Sequence, residues 1–317
     1  MKRFFLTLLS FALFSIVCYL SLLVIWAQFE PEKLKTNFNY RIGSFGHTYT
    51  RLKEVKTVSD VDILFLGSSH AYRGFDTRNF EANGYKTFNL GTSAQTPMQT
   101  KILLNKYLDQ LGPKLVILEV YPEIMTIDGM ESFLDIISND EVNFEILKLS
   151  LKVNHTKVYN TLFYSVISDF FGIHDNHIEP KVKGIDIYIN GGYVETKLNK
   201  QFVGDSIGSK ELIFLDEQLE AFEDIIQLIN NNGSELLLVF APVSSVLYDS
   251  YVNVDIFNDL MTSHGNYYNF NKNINIEDSI HFFDDNHLNQ KGVNIFNEEL
   301  IKLINQTNLL NKIISDI

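Results

Sequence analysis

Cysteine is all but missing. Cys18 is the one cysteine in 317 residues, so no disulfide can close within the chain, and thiol content says nothing of its compartment. A cysteine-based zinc site and a thiol nucleophile are excluded beyond the first apolar segment. Positive charge is scarce as well. Lys and Arg number 26 against 39 Asp and Glu, a formal net charge of −13, and no basic patch interrupts it, which argues against a nucleic-acid partner. A P-loop, a dinucleotide-binding glycine fingerprint and internal repeats are also lacking, and no cofactor is expected. What remains, 45% hydrophobic and 21% charged residues, is the composition of an ordinary folded protein.

One long hydrophobic run is present. Phe4 to Trp26 carries no charge and is long enough to cross a bilayer, for which about 20 apolar residues suffice. Lys2 and Arg3 precede it, which predicts a cytoplasmic N-terminus and a single pass, with the remaining chain outside the cytoplasmic membrane, in a bacterial periplasm or at the cell surface. A cleaved signal peptide is the rival reading. Against it, the run exceeds a usual signal core and no small-x-small site follows. Residues 1–26 are thus expected to be a membrane anchor and 27–59 a polar stalk with a short helix near Tyr49–Val55. Residues 60–317 are expected to form the folded domain.

Strand and helix signals alternate along that domain. Val61–Gly67, Tyr85–Leu90, Lys114–Tyr121, Glu235–Phe240 and Tyr267–Phe270 read as strands. Helices are expected from Asp76, as N-cap, to about Ala82, and from Pro97 through Gln110. Others are expected over Leu212–Asn230, Asp255–Ser263 and Gln290–Asn305. The alternation predicts an α/β fold with a parallel sheet of about five strands and right-handed crossovers. Residues 126–205 break the rhythm. They are rich in Asn, Asp, Lys and aromatics, with a hairpin signal over Gly184–Thr196 around Gly191-Gly192. The stretch reads as an insertion, either a cap over the catalytic edge or an embellishment.

Two stretches carry chemistry. Val61-Asp62-Ile63-Leu64-Phe65-Leu66-Gly67-Ser68-Ser69-His70 is a buried strand ending in a glycine and two serines. It delivers a hydroxyl to the carboxyl edge of the sheet, where open α/β sheets bind ligands. Much later, Asp284-Asp285-Asn286-His287 sets an acid three residues before a histidine, so one turn can present both. A serine hydroxyl needs a base to take its proton, and the base works best when a carboxylate fixes its tautomer. Ser69, His287 and Asp284 fit these roles, with Ser68 and Asp285 as rivals. His281, Asp284 and His287 could instead form a metal site of N/O type. The Gly-x-Ser-x-Gly elbow is absent, since Ala71 stands at its last position. His70 and Arg73, beside the nucleophile, are candidate substrate contacts.

Together the two stretches resemble the SGNH/GDSL hydrolase superfamily. Its nucleophile lies in an early Gly-Asp-Ser-like block, and its acid and base in a late Asp-x-x-His block. The resemblance covers about residues 60–125 and 210–305. It implies a flavodoxin-like three-layer sandwich, with Ser69 as nucleophile, Asp284 as orienting acid and His287 as base. It also implies that Gly91, in Phe88-Asn89-Leu90-Gly91-Thr92-Ser93, lends its N–H to the oxyanion. The third block departs from the pattern. Leu118-Glu119-Val120-Tyr121-Pro122-Glu123 stands where members carry Gly-x-Asn-Asp, leaving the asparagine oxyanion donor without a counterpart. Tyr121 and Glu123 thereby become candidate substrate contacts. In this the chain is similar to membrane-anchored envelope proteins, DltD of teichoic-acid D-alanylation and the alginate O-acetylation proteins. The resemblance implies a serine acyl esterase or O-acyltransferase acting on an envelope polysaccharide or acylated glycan, with a membrane-bound O-acyltransferase as partner. The alternative is a catalytically silent scaffold of the same fold.

Overall fold

The structure, a computed structural model, describes residues 1–29, 37–172, 176–197, 202, 204, 206–272, 274–307 and 309–310. In chain order its elements are α1 (Lys2–Phe29), α2 (Thr48–Val55), β1 (Ile63–Leu66), α3 (Ser69–Gly74), α4 (Thr77–Glu81), β2 (Thr87–Asn89), α5 (Pro97–Leu111) and β3 (Leu115–Glu119). Then come α6 (Met130–Asn139), α7 (Phe144–Val153), α8 (Thr156–Phe170), β4 (Val182–Lys183), β5 (Asp186–Ile189) and β6 (Tyr193–Thr196). The last group is α9 (Asp216–Asn232), β7 (Glu235–Phe240), α10 (Ser245–Ser250), α11 (Val254–Ser263), β8 (Tyr267–Asn269), α12 (Asp278–His281) and α13 (Gln290–Thr307). Two compact units result, one of Met1–Ile42 with Leu134–His177, the other of Gly43–Phe133 with Ile178–Ile317.

In the larger unit five strands pair in the order β2-β1-β3-β7-β8, every pair parallel. This is the expected α/β architecture with its flavodoxin-like order. The four residues of β1 and the five of β3 are all buried, because both sheet faces are covered. That is why these strands read as unbroken apolar runs and not as alternations. Chain connections leave β1 and β3 in opposite directions, which opens a crevice at their carboxyl ends. Pro97 starts α5 behind a Thr96–Gln99 capping box, and Gly112 closes it in the left-handed conformation. On the opposite face α13 buries Val293, Phe296 and Leu300 in one cluster with Phe65, Phe75 and Phe80. Truncating one such phenylalanine costs about 3–5 kcal/mol, so α13 is held firmly against the element that carries Ser69.

The hairpin expected around Gly191-Gly192 is present as β5–β6, within a small antiparallel sheet β4-β5-β6. It is bolted to the helices beside β1. Glu54 of α2 accepts hydrogen bonds from the Gly191 N–H at 2.8 Å and the Tyr188 hydroxyl at 2.6 Å. Arg78 pairs with Glu195 at 2.8 Å. Within the stretch 27–59, the residues from Gly43 onward belong to the larger unit. Tyr49, Leu52 and Val55, spaced three apart, bury one face of α2; residues 30–36 lie outside the described residues. The insertion also holds more order than its composition suggested, with the helices α7 and α8 in the smaller unit. Helix α1, through Ala27, is long and apolar enough to cross a membrane.

Candidate active site

Ser69 opens α3 directly beyond β1, at the switch point of the sheet. Gly67 makes the turn possible. Its φ of +137° is one that side chains rarely adopt, and a Cβ there would lie 2.8 Å from Glu119 Cβ on the neighbouring strand. Ser68 then caps α3, accepting from the His70 N–H at 3.3 Å. That places Ser68 inside, almost fully buried, and turns Ser69 outward, half-buried.

The late stretch closes on this serine. An antiparallel bridge between Phe282 and Leu288 pins the ends of the turn, and both side chains sit in the core with α13. His287 Nε2 lies 2.8 Å from Ser69 Oγ. Its Nδ1 lies 2.9 and 3.1 Å from the two Asp284 oxygens. Asp284 Oδ1 also accepts from the backbone N–H groups of Asn286, at 3.1 Å, and His287, at 2.7 Å. Burial pushes the Asp284 carboxyl up, but the His287 hydrogen bond and charge and these N–H donors outweigh it and hold it below the usual carboxylate range. The charged carboxylate fixes the proton on Nδ1, which leaves the Nε2 lone pair facing the serine hydroxyl. The rivals sit elsewhere. Asp285 presents its carbonyl to the Ser244 N–H, and His281 Nδ1 accepts from the Glu277 N–H at 2.8 Å. No group of three metal-ligating side chains stands together among the described residues.

The remaining expected residues fall into three kinds. Gly91 lies against the Gly67–Ser69 turn, where a Cβ would come within about 3 Å of Ala71 Cβ and the carbonyls of Gly67 and Ser68. Its N–H, however, donates to Asn89 Oδ1 at 3.1 Å. Ser69's own N–H meets no acceptor among the described residues. Arg73 forks onto Asp186, with both contacts at 2.7 Å, tying α3 to the hairpin, and its guanidinium lies 5.9 Å from the centre of the Phe283 ring. Tyr121 is buried with its ring 4.1 Å from that of His70. Its hydroxyl meets Tyr251, which donates to Glu123 at 2.8 Å, as Lys210 does at the same distance. Glu123 is thus part of an ion-pair network beside Tyr121 and makes no contact with the serine.

Sequence reasoning passed over Glu119. It ends β3 as a fully buried carboxyl with Ser68 Oγ at 3.3 Å; a lone acid closing the apolar run Leu115–Leu118 was the available signal. Burial pushes its pKa up to about 8, against the opposing hydrogen bonds from Ser68 and Tyr121. At neutral pH the neutral acid, Ser68 and His70 Nδ1, 3.1 Å from Ser68 Oγ, form a hydrogen-bonded chain behind the site. Burial, then the charge of a protonated His287, push His70 well below the usual histidine range. Its neutral ring lies nearly parallel to His287, with centroids 5.0 Å apart. Because the unfolded chain loses the Glu119 proton first, stability is full below the unfolded carboxyl's pKa and falls as pH rises to about 8. Glu119→Gln keeps the shape and removes that slope. Between pH 5 and 8 the variant is expected to gain roughly 3 kcal/mol on the wild type, at about 1.4 kcal/mol per pH unit. Thermal unfolding followed by circular dichroism at both pH values measures it.

No protein-family model matches the chain, and no curated protein matches it. Solved structures similar to it include the following two. A candidate acylhydrolase from Bacteroides fragilis is 11% identical with a TM-score of 0.40, covering 81% of this chain and 94% of its own. A GDSL-like lipase from Bacteroides thetaiotaomicron is 11% identical with a TM-score of 0.40, covering 83% of this chain and 100% of its own. At that distance neither likeness bears on the chemistry, which stands on the geometry above.

Proposed function

We propose that this chain is an SGNH-type serine enzyme that handles acyl esters, with Ser69 as nucleophile, His287 as base and Asp284 as orienting acid. One observation carries the reading: an unbroken contact from Ser69 Oγ through His287 to Asp284, at 2.8 and 2.9 Å, at the switch point of a parallel sheet. Ser69 Oγ attacks the acyl carbonyl as His287 Nε2 takes its proton, and Asp284 stabilises the imidazolium. The open Ser69 N–H donates to the oxyanion; one such donor is worth about 10²–10³ in rate. Gly91 can add a second donor by releasing Asn89. His287 then returns the proton to the departing alcohol, which leaves acyl-Ser69 to be taken by water or by a sugar hydroxyl that His287 deprotonates in turn.

The N-terminal helix supports a single-pass anchor with the catalytic unit outside the cytoplasmic membrane, and hence an envelope glycan as acyl donor or acceptor. The likeness to DltD and the alginate O-acetylation proteins makes a membrane-bound O-acyltransferase the proposed partner. A fluorophosphonate probe tests the chemistry on the full chain in detergent. Wild type and Ser68→Ala are expected to gain the phosphonyl mass on Ser69, and Ser69→Ala to gain none. If fluorophosphonates and activated esters all leave Ser69 unmodified in folded protein, the chain is a scaffold and this reading falls.

A further inference from the structure

In α8 the usual sidedness of a helix is reversed. Its buried face carries Asn160, Thr161, Ser165 and Ser168 together with Val158 and Tyr164. Its exposed face carries Tyr159, Val166 and Phe170, at the i, i+7, i+11 spacing of one helical side. Phe170 is 81% exposed. The inward polar groups all have partners within the same unit. Asn160 accepts from the Tyr19 hydroxyl at 2.9 Å and donates to the Asn37 carbonyl at 2.9 Å. Thr161 accepts from the Asn39 N–H, Ser165 donates to the Ile137 carbonyl, and Ser168 accepts from the Tyr40 hydroxyl. Helix α7 repeats the arrangement. Phe144, Leu147 and Leu151 share one exposed side, with Phe144 at 75% and Leu151 at 71% exposure. Lys148 and Lys152 flank them.

Water is the wrong solvent for such a surface, since a fold in water buries apolar groups and exposes polar ones. A hydrocarbon environment demands the opposite: polar groups satisfied inside and apolar ones outside. The position of α8 supplies the occupant. Tyr164 clusters with Leu23 and Phe38, and Val24, Ala27 and Phe163 pack around them, so α8 runs beside the last turns of α1, which itself exposes Leu22, Ile25 and Trp26. Tyr19, the partner of Asn160, lies about 10 Å before Trp26 along α1, at roughly 1.5 Å per residue. Interfacial helices sink their apolar sides about 5–10 Å into a membrane, with lysines reaching back to the headgroups.

We infer that the α7–α8 pair is a membrane-embedded hairpin, seated in the outer-leaflet interface of the bilayer that α1 crosses. The inference rests on the anchor reading of α1 and is independent of the acyl chemistry. The full chain carries single cysteines in a Cys18→Ser background: Leu13→Cys on α1, Leu151→Cys on α7, Phe170→Cys on α8 and Glu220→Cys on α9. Each is labelled with nitrobenzoxadiazole and reconstituted in phosphatidylethanolamine–phosphatidylglycerol vesicles. The labels at 151 and 170 are expected to emit at shorter wavelength than the label at 220. They should lose emission to lipids carrying a doxyl group near the ester end of the acyl chain, and resist aqueous iodide. Iodide quenching at 151 and 170 while position 13 is quenched by lipid overturns the inference and leaves the anchor standing. Protection from both quenchers means that protein, a second copy or a partner, covers the face, and also overturns it. Iodide quenching at 13 removes the anchor reading and this inference with it.

Discussion

Asp284→Asn is expected to slow acylation of Ser69 by a p-nitrophenyl ester by about four powers of ten, with the fold intact. The carboxylate accepts from His287 Nδ1. An amide can instead donate to Nδ1, which puts the ring proton on Nε2 and aims it at the serine hydroxyl. The base is then blocked, though every heavy atom keeps its place. His287→Ala should cost at least as much, because the proton from Ser69 then has nowhere to go. Asp285→Asn serves as the control, since that residue bonds Ser244 through its backbone and its side chain is not needed. The burst of p-nitrophenol in a stopped-flow measurement reads all three. A fall of tenfold or less for Asp284→Asn would show that the carboxylate supports the turn and not the tautomer.

Gly192→Ala is expected to be the most damaging single methyl in the larger unit. Gly192 has a φ of +91°, and a Cβ there would lie 2.1 Å from the carbonyl oxygen of Asn89. That oxygen belongs to a strand end that cannot step aside freely. Asn89 donates to the carbonyls of Ala71 and Phe75 and accepts from the Gly91 N–H. A loss of about 3–5 kcal/mol is expected, the range of the larger single-residue effects, and with it a fall of about 10 °C in the unfolding temperature. Gly184→Ala is the matched comparison. It too has a positive φ, +58°, but nothing lies within 4 Å of its Cβ, so it should cost only the backbone strain, about 1 kcal/mol. Equal losses at the two positions would mean that the hairpin tip is not wedged against β2.

Much of the sheet was legible because its strands are short, apolar and bounded by glycine or proline. Glu235–Phe240 emerges with the boundaries read from sequence, and Gln290 opens α13 as expected. Ser69, His287 and Asp284 could be chosen over Ser68 and Asp285 by spacing and resemblance, and the fold brings those three together. Three things were hidden. The helices α7 and α8 escaped notice because residues 126–205 were read by their composition and hairpin signal and not by the spacing of their apolar residues. Glu119 was passed over although it closes the apolar run Leu115–Leu118, because that run marks a strand end and does not show the carboxyl packed under Ser68. Arg73 was read as a candidate substrate contact from its place beside Ser69, and sequence proximity could not show its ion pair with Asp186, more than a hundred residues later.

The hydrogen bond between Ser69 and His287 spans 218 positions of chain, and this fixes when the proposed triad can first assemble. A ribosome releases the nucleophile early and the base late. β1 and β3 can pair as soon as both have emerged, but the Asp284–His287 turn finds its place only when α13 buries Phe296 against Phe75. Contacts this distant in sequence form late, after the loop entropy between them has been overcome. A half-made chain therefore carries Ser69 without His287 beside it. On the proposed chemistry the growing polypeptide stays inert, and the triad is completed in one step with the docking of the last long helix.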